Sequence, residues 1–189
     1  YKNYYSFRTD SVPDGRLTAL SSDVVSSAGE RDILFYCKDK IILDLGCNAG
    51  KITREVLEFG GATKAIGIDI DEVLIQQALD LGIELKDDPN KIEFIVGDFM
   101  EMAYFTNTSI AQPDVILLLS ITKWLHLNHG DLGLINLFQA LFELLPSDGI
   151  LVIEPQEWLN YKTAVKKNKD LRPVFKTLAM RPNFDVELK

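Results

Sequence analysis

Lys123, Trp124 and His126 come directly after the apolar run in "LLLSITKWLHLNHGD", Leu117 to Asp131. An ammonium, a large aromatic ring and an imidazole at the tip of a buried strand suit an anionic group. Open α/β sheets bind ligands in the crevice beyond the carboxyl ends of their strands. A second constellation lies upstream, in "LDLGCNAGKIT". There Gly46 allows a tight turn, Gly50 permits close packing of helix on strand, and the N-terminus of the following helix favours an anionic ligand group. Asp69 stands about where an acid past such a loop meets ribose hydroxyls. "VGDF" then offers Asp98 to an adenine amino group and Phe99 for stacking. Loop, acid and acid–aromatic pair at three successive strand tips read as a nucleoside site.

The loop pattern is Asp44-x-Gly46-x-Asn48-x-Gly50, with Asn48 in the middle glycine position. That is nearer the methyltransferase form, Glu/Asp-x-Gly-x-Gly-x-Gly, than the dinucleotide form, so S-adenosylmethionine fits better than NAD. Other polar residues have plainer roles. Asp44 braces the loop, Asp71 caps a helix at "DIDEVL", and Cys47 is a small residue under the cofactor. His126 and His129 have ligand-like spacing, but no further His and no Cys cluster completes a metal set, so no metal is expected. No Ser-His-Asp or paired-carboxylate set is present, which favours chemistry without a general base.

These residues need a frame, and the hydrophobic pattern supplies one. Short aliphatic runs, "KIILDLG", "TKAIGID", "KIEFIVGD", "PDVILLLS" and "GILVIEP", alternate with segments of helical period, "AGKITREVLEFG", "DEVLIQQALDLG" and "DLGLINLFQALFELL". In the last, Leu134, Leu137, Phe138, Leu141 and Leu145 share one face. Gly60 and Gly82 stop the first two helices. Runs this apolar suit parallel strands covered on both faces. The order β-α-β-α-β-(short)-β-α-β predicts an α/β fold with a mostly parallel, doubly wound, Rossmann-like sheet.

The chain has 189 residues, 47% hydrophobic and 25% charged, which suits one domain. Residues 1–39 form an aromatic and basic lid segment, 40–155 the cofactor-binding core, and 156–189 a basic helical segment. The first part contains "YKNYYSFR", then the Ser-rich loop at 21–30. The last carries Lys162, Lys166, Lys167, Lys169, Arg172 and Lys176 against Asp170. At a net charge of −8 the chain is no general nucleic-acid coat, so this cluster is the local polyanion patch. No run approaches the ~20 apolar residues of a membrane span. Two cysteines, Cys37 and Cys47, form no disulfide framework, and a reducing compartment is expected. The start at Tyr1, without Met or a signal-peptide pattern, is expected of part of something longer.

"YKNYYSFR", "DGRL", "LDLGCNAG", "GIDID", "LSITKWLHLNHGD" and "ILVIEPQEW" occur in the order and spacing of the methylphosphate capping enzymes, the family of the bicoid-interacting protein. The chain resembles that family over nearly its whole length. "SITKWLHLN" and "EPQEW" carry the likeness, and Asn48 is the family's usual loop residue. The resemblance implies a class I S-adenosylmethionine-dependent methyltransferase acting on the 5′-terminal (gamma) phosphate of a small noncoding RNA. It implies that Tyr4, Arg16, Gly46, Cys47, Asp69, Ile70, Asp98, Phe99 and Leu119 line the cofactor. Arg8, Lys123 and His126 would face the phosphates, with Tyr5 and Trp124 beside them. A nuclear location and other proteins of a ribonucleoprotein particle come with the same likeness. Two departures stand out: Gly97-Asp98-Phe99 replaces the family's Gly-Asn-Tyr, and the chain stops at "RPNFDVELK" before a closing antiparallel pair. They support an alternative, an RNA-binding subunit that shields the 5′ end without methylating it.

Overall fold

The computed structural model describes residues 14–18, 32–82, 89–101, 104–107 and 110–181. The expectations for Tyr4, Tyr5, Arg8, the Ser-rich stretch at 21–30 and residues 182–189 lie outside them.

Five strands, β1 (Ile41–Leu45), β2 (Lys64–Asp69), β3 (Ile92–Val96), β4 (Val115–Leu119) and β5 (Ile150–Glu154), form one sheet in the order β3-β2-β1-β4-β5, all pairs parallel. The winding reverses between β1 and β4, and a crevice opens at such a switch point. Asp69 pairs with Val96 and Leu119 with Glu154, so the loop, both acids and the lysine-bearing segment leave the sheet from one rim.

Side-chain alternation explains the continuous apolar runs. Ile42 faces one side with Leu117, and Leu43 faces the other with Ile116, as period two requires. The first side is covered by α1 (Gly15–Thr18), α2 (Ile33–Cys37) and α3 (Lys51–Glu58), with Leu17, Ile33 and Val56 in the cluster. α4 (Glu72–Gly82) lies against β2 and β3. The second side is covered by α5 (Tyr104–Asn107) and α6 (Thr122–Leu144), through Leu134, Leu137 and Leu141. A third cluster joins Leu127 of α6 to α7 (Trp158–Lys167) and α8 (Arg172–Thr177) through Tyr161, Val165, Leu171 and Leu178.

Two local expectations change. After α3 the left-handed residue is Gly61 (φ 64°). A Cβ on Gly60 would meet the Val56 carbonyl oxygen at 2.6 Å, so Gly60 allows a close approach instead. The last helix of the sheet begins at Thr122, nine residues before "DLGLINL", and kinks at Gly130 (φ 69°, ψ −175°). "TKWLHLNH" is therefore the opening of a helix.

Candidate cofactor and phosphate site

The glycine loop is held by backbone bonds and buried acids. The N–H groups of Gly46 and Cys47 both donate to the Ile68 carbonyl, at 2.8 and 3.0 Å. Gly46 (φ 77°), Asn48 (φ 54°) and Gly50 (φ 73°) are left-handed. Asparagine tolerates that region best after glycine, which explains how Asn48 replaces the middle glycine. Its Oδ1 accepts the Ala49 N–H at 2.8 Å. Gly50 has no substitute, since a Cβ there would lie 2.4 Å from the Phe94 ring.

Asp69, 9% exposed, ties the loop to the next helix. Its Oδ2 accepts from Asn48 N at 2.8 Å and its Oδ1 from Asp71 N at 3.0 Å. A carboxylate has about four acceptor sites, so capacity for two ribose hydroxyls remains. Asp71 caps α4, its Oδ1 accepting from Val73 N at 2.9 Å. Asp44 braces the loop as expected, accepting from Thr53 Oγ1 at 2.7 Å. Burial pushes its carboxyl up to about 6, against the Thr53 hydrogen bond and the Arg16 charge. Arg16 is anchored through Asp14 (Nε to Oδ1, 3.0 Å), whose own N–H donates to Glu55 at 2.8 Å. Cys47 is buried against Gly67; burial, then Asp44 and Asp69, drive its thiol far above the usual range. Ile70 is an exposed apolar shelf beside Asp69, and Leu119 is buried at the end of β4.

At β3 the structure differs from the expectation. Asp98 turns back on its own loop, accepting from Met100 N at 2.9 Å. Phe99 is buried in the α6-side core and lines a cavity of about 370 Å³ with Tyr104, Phe105 and Leu137. In this structure its ring packs with the core.

The rim at β4 and β5 is built from side chains. Ser120, left-handed at φ 59°, hydrogen-bonds the Glu154 carboxylate through its hydroxyl and the Glu154 carbonyl through its N–H. Ile121, at the helix cap position, contributes no side-chain hydrogen bond. Gln156 does so from across the rim, its Oε1 accepting from Lys123 N at 2.9 Å and Thr122 Oγ1 at 3.1 Å. The Lys123 ammonium lies over the Trp124 ring, 4.4 Å from its centroid, within cation–π range. Burial, and then the charge of Lys167, hold that ammonium below the usual lysine range.

His126 is turned into the fold and does not face the rim with Lys123. Helical spacing places Thr122, Leu125 and His126 on one buried face, and the imidazole is 2% exposed. Its Nε2 is 2.7 Å from Asp131 Oδ1 and its Nδ1 is 3.3 Å from the Tyr161 hydroxyl. The carboxylate can only accept, so Nε2 carries a proton. The His126 hydrogen bond holds the Asp131 carboxyl below the usual range. Asp131 Oδ2 also accepts from Ala179 N at 2.8 Å, tying the end of α8 to the kink of α6.

Comparison with known proteins places this geometry. A family model described as a methyltransferase domain matches residues 42–149. The chain belongs to the methyltransferase family. The model of bicoid-interacting protein 3 (Bin3) matches residues 113–189, the part that carries α6 to α8, and kinship with the methylphosphate capping enzymes holds. The chain is 32% identical over 196 residues to the U6 snRNA methylphosphate capping enzyme Amus of Drosophila melanogaster, covering 99% of this chain and 62% of that protein. It is 27% identical over 218 residues to the 7SK snRNA methylphosphate capping enzyme of Homo sapiens, covering 85% of this chain and 30% of that protein. It thus spans less than two thirds of either relative. The crystal structure of monomeric WbdD shares the fold, with a TM-score of 0.51 and 24% identity over 77% of this chain and 34% of that one.

Within this methyltransferase fold, the rim sets Gly46 and Asp69 on one side of the switch point and Lys123 on the other. Sequence reasoning missed Ser120, Glu154, Gln156, Asp131 and Tyr161 as functional neighbours. Glu154 and Gln156 had a signal through the "EPQEW" motif, and Ser120 and Asp131 through "LSITKWLHLNHGD".

Proposed function

We propose that the chain methylates the 5′-terminal phosphate of a small noncoding RNA, with S-adenosylmethionine as donor. The observation that carries this reading is a single one. In a chain of net charge −8, Lys123 opens α6 at the β4 tip, across the switch point from the Gly46–Asp69 cradle. The exposed cations Lys162, Lys166, Lys167, Lys169, Arg172 and Lys176 continue from it along α7 and α8, a path for an RNA backbone. The names of the relatives, which print snRNA as the RNA they act on, support an RNA substrate; a nuclear location and companion proteins of a ribonucleoprotein particle belong to the same proposal.

S-adenosylmethionine, when bound, supplies an electrophilic methyl on a sulfonium. Gly46 and Asp69 would hold it, with Ile70, Leu119 and Cys47 as walls and Arg16 near Asp44. Tyr4 would close the site, and Asp98, whose Oδ1 accepts from Met100 N, keeps acceptor capacity for an adenine amino group. A terminal phosphate has a second pKa of roughly 6, by analogy with phosphorylated side chains, and so needs no general base. Lys123 acts as a point charge and Arg8 as a fork, with Tyr5 and Trp124 beside them. Their task is orientation: one oxygen held roughly 3 Å from the methyl, in line with the departing sulfur.

The test is incubation with labelled cofactor and RNAs bearing triphosphate, monophosphate or hydroxyl 5′ ends. Transfer to phosphorylated ends alone supports the reading, and transfer regardless of the end overturns it. The departure Gly97-Asp98-Phe99 favours a second reading, a subunit that shields the RNA end. It predicts tight RNA binding without turnover in the same assay.

A further inference from the structure

We infer that Gln156 contacts the RNA 5′ phosphate directly, through the two N–H groups of its side-chain amide. The inference rests on the phosphate-methylating reading above and adds a specificity residue to it.

The amide's orientation follows from its partners. Lys123 N is a donor, so the atom facing it must be the oxygen. The Thr122 hydroxyl meets the same oxygen. An amide and its flipped form are otherwise hard to tell apart, but a backbone N–H settles the choice. The nitrogen is therefore turned away from α6, and among the described residues it has no acceptor. Position supports the role as well. Glu154 ends β5 in register with Leu119 of β4, so Gln156 stands two residues beyond the rim, beside the lysine it caps. The neighbouring Glu154 carboxylate is engaged by the Ser120 hydroxyl. Gln156 is half-buried.

Chemistry favours this residue type. A phosphate oxygen that must attack a methyl loses nucleophilicity when it is fully neutralised. An amide offers two directed donors without a charge, so one cation, Lys123, can be joined by neutral hydrogen bonds that orient the phosphate. The same side chain thus fixes the lysine's helix and reads the end of the RNA.

Gln156→Glu separates these two tasks, because a carboxylate still accepts from Lys123 N but offers no donor. We expect the KM for 5′-phosphorylated RNA to rise roughly tenfold or more, with cofactor affinity and melting temperature near those of the unaltered chain. Binding of hydroxyl-ended RNA should be unchanged. Unaltered KM and phosphate preference in this variant would reduce Gln156 to a helix cap. The unaltered protein supplies a second measurement that does not depend on the variant folding. In ¹⁵N-labelled protein, the Gln156 side-chain NH₂ resonances should shift when a 5′-phosphorylated oligonucleotide is added and stay in place with a hydroxyl-ended one. Static resonances overturn the inference. If the unaltered chain methylates no phosphorylated RNA, the functional reading fails, and the NH₂ shift still decides whether the amide meets phosphate.

Discussion

The two sides of the crevice are held by different means. On the glycine-loop side, the backbone fixes itself: left-handed residues, the Ile68 carbonyl shared by two N–H groups, and carboxylates buried beneath the turn. On the α6 side, side chains do the holding: Gln156 accepts from the Lys123 N–H, Trp124 lies beneath its ammonium, and the Ser120–Glu154 and His126–Tyr161 pairs tie the neighbouring elements together. A nucleoside is a rigid, partly apolar body that a preformed cradle can match. A phosphate on a flexible strand must be aimed, and aiming needs donors whose direction is set by neighbours.

Mutations on the two sides should therefore fail differently. Asp69→Ala removes the acceptor for two loop N–H groups along with the ribose partner. Calorimetry should show cofactor affinity falling roughly 100-fold, and a change within threefold would leave the cradle without its central acid. Lys123→Ala should lower kcat/KM for 5′-phosphorylated RNA roughly 30-fold with cofactor affinity unchanged. Loss of cofactor affinity alone would merge the two sides. Gly50→Ala meets Phe94 and a positive φ, for about 2 kcal/mol of destabilisation, read as a melting temperature lower by roughly 4–8 °C. His126→Phe, which strands Asp131 and the Tyr161 hydroxyl, should also lower the melting temperature. KM for RNA should change less than in Lys123→Ala, whereas a direct phosphate contact predicts the reverse.

The smallest effect concerns pH. The folded-state value of Asp44, about 6, lies above the ordinary 3.8, so the native state binds a proton that the unfolded chain does not. Stability from this group rises as pH falls from about 6 towards 4 and is lowest above 6. Asp44→Asn should flatten that slope in melts taken across the window. At lower pH the sign reverses for Asp131, whose carboxyl is held below its usual range. Its contribution is complete above about 3.9 and is lost as pH drops through the depressed value.

The sheet, the glycine loop, Asp69 and the Asp71 cap were legible in the sequence because each depends on neighbours close along the chain or on a two-residue alternation. The inward direction of His126 was not legible because it depends on where α6 begins. A helix starting at Thr122 turns the imidazole inward, and the apolar run before it gave no boundary. The packing of Phe99 under α6 was not legible because stacking on a ligand and packing in a core call for the same residue type. Gln156 caps a helix that starts 34 residues earlier, a distance at which no local pattern survives.

The kink at Gly130 divides the labour within α6. Before it, Trp124 and Leu127 pack with α7 and α8 while Leu125 stays with the sheet; after it, Leu134, Leu137 and Leu141 belong with the sheet. A disturbance among the leucines of the second half would be absorbed at the bend rather than carried to the lysine. The substrate-facing end could then be retuned without recasting the scaffold beneath it.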